Sequence, residues 1–362
     1  MAVNIARASK MLRKTLIWNY ENVKNGKLPI VPMLMGMQGI GKTDSYTQSV
    51  SAPYNGKKMG FLPVPLAQKE PTEVMGIQMP DLENNMTRNL KPHWYIKLEE
   101  MIADGYELIW LLFDEFPQAT VPTQNVTGEL MNSRMAGDFK LPDGVFVACA
   151  GNRLKDKAGT NRIPTQIKDR VTFIEVEPNL DDYCDYATRK GNNPVIPAFL
   201  RFKGREDPTV FCLSDPQQNA TATPRSWDRA DNILSMGFDD DLPALQEMLT
   251  GTIGEKTTTD FISFLEVVQS APELTDLDHI LDNPATASVT DRPDILFVVL
   301  GALAQKCTPD NFSAIAEYCK RIGDAELMQV CITDCMAVCD AVKSSDAMSE
   351  LVEDGYFKSV YL

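Results

Sequence analysis

Residues 36–43 (GMQGIGKT) constrain this chain more than any other stretch. They fit the pattern G-x-x-x-x-G-K-[ST], follow the apolar run at 30–35 (IVPMLM) and lead into a helical segment. Glycines in such a loop let successive backbone N–H groups curl around phosphate oxygens, and the helix that follows adds its positive N-terminal end. The expected phosphate contacts are Gly36, Gln38, Gly39, Ile40, Gly41, Lys42, Thr43 and Asp44. Lys42 should reach the β- and γ-phosphates and Thr43 should ligate Mg²⁺, so ATP and Mg²⁺ are the expected cofactors.

Four further apolar runs, at 61–66 (FLPVPL), 108–113 (LIWLLF), 145–150 (VFVACA) and 171–176 (VTFIEV), alternate with helical stretches such as 93–104. Runs that are apolar throughout suit parallel strands covered on both faces, which predicts an α/β doubly wound sheet. In such sheets the site gathers at the carboxyl ends of the strands. Asp114 and Glu115 end the strongest run, as a Walker B pair requires: the first carboxylate serves Mg²⁺ and the second polarises the attacking water. Asn152 ends the next run, where a neutral amide can bond both water and γ-phosphate. Arg170 stands before the last run and Arg225 opens the second half. A forked guanidinium suits phosphate, and Arg153 and Arg162 compete for the same task.

Beyond residue 225 the segments 225–235, 241–250, 258–269, 293–305, 310–322 and 324–343 read as helices. The expected organisation is an N-terminal helix over 1–27, a nucleotide-binding core over 28–215, a helical lid over 216–300 and a helical C-terminal extension over 301–362. The N-terminus is basic enough to pass for a transit peptide, but Leu12, Leu16, Ile17 and Tyr20 also fit the buried stripe of a helix. The acidic run Asp239-Asp240-Asp241 reads as a solvated loop or helix start.

A formal charge of −15 repels nucleic acid overall and favours protein partners. No run is long and apolar enough for a membrane span. Cysteine usage suits a reducing compartment, hence a cytoplasmic protein. Cys331, Cys335 and Cys339 recur every fourth residue; we read them as helix packing rather than metal ligands. With only two histidines, His93 and His279, a His-rich metal site is excluded.

With these elements in order, the chain resembles the AAA+ ATPases, specifically the MoxR group that includes CbbQ-, NorQ- and GvpN-type proteins. The segment 73–80 (EVMGIQMP) looks like that group's insert in the second helix, and Asp114-Glu115 is followed by Ala119 and Gln124. Residues 141–144 (LPDG) lead into 150–153 (AGNR), Asp169-Arg170 matches a D-R pair, 223–226 (TPRS) looks like a sensor 2 motif, and 251–254 (GTIG) with Asp260-Phe261 looks like part of the lid. The resemblance implies a P-loop AAA+ core with a parallel five-stranded sheet, a lid and a hexameric ring. It also implies Asn152 as sensor 1, Arg170 as a trans-acting finger, Arg225 as sensor 2, and a protein client served with a von Willebrand factor A-type partner. Gln38 and the Phe116-Pro117 pair depart from the usual pattern. The alternatives are an ATP-gated assembly scaffold with little turnover and a DNA-directed motor.

Overall fold

The computed structural model describes residues 2–156, 159–212, 220–238, 241–271 and 276–357. The chain divides into two compact units, Met1–Pro178 and Asn179–Leu362. No described helix is long and apolar enough to cross a membrane.

The first unit runs α1 (Ile5–Asn22), β1 (Pro32–Met35), α2 (Lys42–Ser49), β2 (Lys58–Pro65), α3 (Pro71–Met75), β3 (Ile77–Asp81), β4 (Met86–Leu90) and α4 (His93–Ala103). It continues with β5 (Tyr106–Asp114), α5 (Val121–Ser133), β6 (Met135–Ala136), β7 (Phe139–Lys140), β8 (Val145–Gly151), α6 (Thr165–Lys168) and β9 (Thr172–Glu175). Five strands form one parallel sheet in the order β2-β5-β8-β1-β9. All five apolar runs are therefore parallel strands of one sheet, although β9, at its edge, exposes Thr172, Phe173 and Glu175 and buries only Ile174.

The reason they are apolar throughout lies in two cores. Ile109, Leu111 and Phe113 face one layer with Trp94, Leu98 and Leu130. Leu108, Trp110 and Leu112 face the other with Ala8, Leu12 and Leu16 of α1 and Tyr46 of α2. Alternate side chains point to opposite faces, so a strand covered on both sides cannot alternate with polar residues. β2 tolerates Pro63 and Pro65 because it is an edge strand paired only with β5. α1 starts at an Asn4 cap whose side chain accepts the Arg7 N–H.

The sequence reading missed the β3–β4 hairpin. Its apolar side chains Ile77, Met79, Leu82, Met86 and Leu90 are exposed, so they form no core-facing stripe that periodicity could reveal.

The second unit is helical: α7 (Leu180–Lys190), α8 (Val195–Lys203), α9 (Pro224–Leu234), α10 (Leu242–Ile253), α11 (Glu255–Gln269), α12 (Leu277–Asp282), α13 (Pro293–Gln305), α14 (Phe312–Ile322), α15 (Ala325–Val338) and α16 (Asp346–Glu353). A parallel five-stranded sheet followed by a helical lid and extension is thus the observed architecture. Two residues of the acidic run, Asp239 and Asp240, lie outside the described residues; Asp241 caps α10 through the Ala244 N–H. Helix α15 ends at Val338, short of the expected 343, and Cys339 is an extended C-cap rather than a third helical thiol.

Candidate functional site

Three neighbouring strands deliver the polar groups. β1 ends in the 36–43 loop, β5 ends in Asp114 and β8 runs into Asn152, and β8 lies between the other two. In the loop Gly39 and Gly41 adopt φ of 77° and 89°, a region where a side chain is strained. This turn brings Lys42 and Thr43 to the N-terminus of α2.

Lys42 is buried, and its Nζ donates to Gly36 O at 2.9 Å, Met37 O at 2.6 Å and Asn152 Oδ1 at 2.9 Å. Thr43 Oγ1 donates to Asp114 Oδ2 at 2.7 Å. Asp114 Oδ1 accepts the N–H of Glu115 at 2.9 Å. Residues 110 and 71 positions apart are joined by these side-chain bonds. A hydroxyl and a carboxylate sharing one corner supply the hard oxygen donors that Mg²⁺ prefers, with its remaining positions left to water and phosphate. Thr43 and Asp114 therefore fit the expected ion.

Glu115 is exposed and sits in left-handed backbone with φ 55°, a conformation that costs a non-glycine residue about 1–3 kcal/mol. It begins the turn Phe116–Gln118. Phe116 and Pro117 are both buried. A Cβ on Gly151 would lie 2.0 Å from Pro117 Cδ, so the glycine of the Ala-Gly-Asn-Arg stretch lets the turn after β5 close against β8. The Pro117 carbonyl accepts the Asn161 N–H at 2.6 Å, and Ala119 O accepts from Asn161 Nδ2 at 2.9 Å and Gln124 Nε2 at 3.0 Å. The unusual Phe-Pro pair thus anchors a neighbouring loop.

The four arginines separate by environment. Arg153 is occupied by Asp156 and Glu175. Arg170 is half-buried and donates from Nη1 to Gly128 O of α5 at 2.6 Å. Arg162 is exposed on the loop before α6. Arg225 is exposed in the first turn of α9, in the second unit. The structure brings Lys42, Thr43, Asp114, Glu115 and Asn152 together; it leaves Arg170 on the α5–α6 side of the same unit. Gln38 and Asp44 are exposed at the loop and helix start, whereas Ile40 packs into the core beneath it.

One positioning residue escaped the sequence reading. Tyr46 is fully buried and donates its hydroxyl to Cys149 O at 2.9 Å, bracing α2 against β8. Burial raises its pKa well above the usual tyrosine value, which keeps the hydroxyl a neutral donor. Its place four residues after Lys42, on the inward face of α2, was the available signal.

Sheet order, the phosphate-type loop after β1 and the acidic end of β5 define an AAA+-like P-loop core. The sequence matches no protein-family model and no curated protein. Among solved structures, the Aeropyrum pernix ORC1 protein, solved in complex with DNA, is similar at a TM-score of 0.39 and 13% identity over 88% of this chain and 83% of its own. The ORC2 protein of the same organism is similar at a TM-score of 0.39 and 12% identity over 76% and 74%. Likeness at this level carries no inference about activity.

Proposed function

We propose that this chain is a Mg²⁺-dependent ATPase of the AAA+ type. The observation that supports it best is the pair of bonds Lys42–Asn152 and Thr43–Asp114 across three strand ends. Lys42 binds the β- and γ-phosphates of ATP in place of some of its carbonyl and amide partners. Thr43 and Asp114 hold Mg²⁺, which when bound neutralises phosphate charge. Asp114 keeps its orientation through the Glu115 N–H, and Glu115 takes a proton from the attacking water. Asn152 orients that water against the γ-phosphate without adding charge.

On the MoxR resemblance, the protein assembles as a hexameric ring, Arg170 acts on the neighbouring subunit's nucleotide, and Arg225 serves as sensor 2 from the lid at 216–300. Turnover then remodels a protein client together with a von Willebrand factor A-type partner, in the cytoplasm. The net charge of −15 favours a protein rather than a nucleic acid client.

ATP turnover by the purified chain, with and without DNA, tests this reading. We expect Mg²⁺-dependent hydrolysis that DNA leaves unchanged. Glu115→Gln should keep ATP binding and lose about 10²–10⁴ in rate, the usual worth of a general base. Near-normal turnover by that variant would remove Glu115 from the mechanism, and stimulation by DNA would favour a motor.

A further inference from the structure

Among the described residues no side-chain bond holds the carboxylate of Glu115. Its N–H donates to Asp114 Oδ1 and its carbonyl accepts the Gln118 N–H, both at 2.9 Å. The direction of the carboxylate is therefore set by the backbone beneath it, the left-handed turn at φ 55°. Backbone of that kind persists only where its surroundings over-determine it.

The surroundings of the turn converge on one residue outside it. Pro117 has no N–H, so its carbonyl is its only main-chain polar group, and Pro117 and Ala119 are both buried. Asn161, on the loop between β8 and α6, meets both carbonyls. Its N–H donates to Pro117 O at 2.6 Å and its Nδ2 donates to Ala119 O at 2.9 Å. Asn161 in turn heads a segment fastened along α5. Gln166 Nε2 donates to Asn125 Oδ1 at 2.8 Å and Arg170 Nη1 to Gly128 O at 2.6 Å. Between them Ile167 packs so closely that a Cβ on Gly128 would lie 1.9 Å from its Cδ1.

We propose, on the ATPase reading of this site, that Asn161 is a positioning residue that aims Glu115 at the attacking water by fixing the turn after β5. One bond to the turn would act as a pivot, whereas two bonds to carbonyls two residues apart resist its rotation. Loss of the Nδ2 bond leaves Ala119 O with Gln124 Nε2 at 3.0 Å, so no buried carbonyl is orphaned and the fold survives the change. What goes is the tie between turn and loop, and with it the aim of Glu115. Misplacing a reacting group by about 1 Å can cost on the order of 100-fold in rate. Lys42 and Thr43 keep their own bonds on β5 and β8, so nucleotide binding is spared.

The test compares Asn161→Ala and Asn161→Asp with the unmodified chain; aspartate keeps the shape of the side chain but has no N–H to offer Ala119 O. Both should lower kcat about 10- to 100-fold, with KM for Mg-ATP within about twofold, the pattern of an interaction lost only in the transition state. Placed on Glu115→Gln in single-turnover reactions, Asn161→Ala should cost no more than about a further twofold, because a residue acting through Glu115 has nothing left to aim. Gln166→Ala, which cuts a bond of the same segment to α5 but none to the turn, should leave kcat unchanged. Hydrogen exchange gives a reading that needs no turnover: Asn161→Ala should speed exchange of the Gln118 and Ala119 amides roughly 5- to 10-fold, the worth of one hydrogen bond, and leave α2 unaffected. A normal kcat in both variants, an equal loss in Gln166→Ala, a full further loss on Glu115→Gln or unchanged exchange in the turn would each overturn the proposal. An unmodified chain without turnover would remove the ATPase reading and the catalytic role of Asn161 with it, while exchange would still decide whether Asn161 holds the turn.

Discussion

Each of the two units buries a cation, and they treat it differently. In the first, Lys42 is held by two main-chain carbonyls and the Asn152 amide. In the second, Arg201 of α8 makes a paired bond to Asp334 of α15 and a further bond to Asp185 of α7. Arg201 and Asp334 are 6% and 1% exposed. Neutral dipoles aim an ammonium and can be exchanged for phosphate oxygens. Ionised carboxylates cancel a guanidinium and stitch three helices together. The first arrangement suits a site and the second suits a scaffold.

The largest expected effect tests the catalytic side of that contrast. Arg170→Ala should lower turnover about 10³–10⁵-fold if the guanidinium acts on a neighbour's phosphate. Mixing Arg170→Ala with Lys42→Ala subunits should restore some activity, because mixed rings contain intact interfaces. If mixed assemblies form and stay inactive, Arg170 serves only the Gly128 carbonyl of its own chain, and Arg162 becomes the finger to examine.

The scaffold side is tested by Asp334→Ala, which leaves Arg201 buried beside Asp185 alone. It should cost about 3–5 kcal/mol in chemical denaturation, as breaking a buried pair does. The double variant Arg201→Met, Asp334→Leu should recover most of that loss, since apolar replacement of a buried pair is often neutral. Failure of the double variant to recover would mean that the ion pair specifies the helix arrangement and does more than fill it.

The smallest effect concerns Asp185. Burial first, then the Asp334 charge, raise its pKa from 3.8 to about 6 against the pull of Arg201. A folded value above the unfolded one means that the protonated form favours folding. That stabilisation is full below pH 3.8 and is lost as pH rises to about 6. Asp185→Asn should therefore raise the melting temperature at pH 7 by only about 1–2 °C, because the side chain is partly solvated and screened. The gain should vanish near pH 4, the unfolded value of the carboxyl. An equal gain at both pH values would remove Asp185 titration from the account.

The same contrast explains what the sequence disclosed. Asp114 follows directly on a run of apolar residues and Asn152 follows one after a single glycine, so the chain itself marks their positions. Gly39, Gly41, Lys42 and Thr43 lie within five consecutive residues, and their spacing carries their geometry. Arg201 and Asp334 lie 133 residues apart on helices, and nothing local marks either as buried. Helix α7, by contrast, carries local signals that the sequence reading passed over: an Asn179 cap, the buried stripe Tyr183, Cys184 and Ala187, and Gly191 at its end. Arg153 looked free to serve phosphate, but Asp156, Glu175 and Glu177 surround it.

The most direct test of the central claim is calorimetric titration of Mg-ATP onto the unmodified chain and onto Lys42→Ala, with thermal melting to show that both are folded. The account predicts Mg²⁺-dependent binding by the former. For Lys42→Ala it predicts an affinity lower by on the order of 100-fold, the worth of charge-assisted bonds to phosphate. Equal affinity of the two folded proteins for Mg-ATP would contradict it.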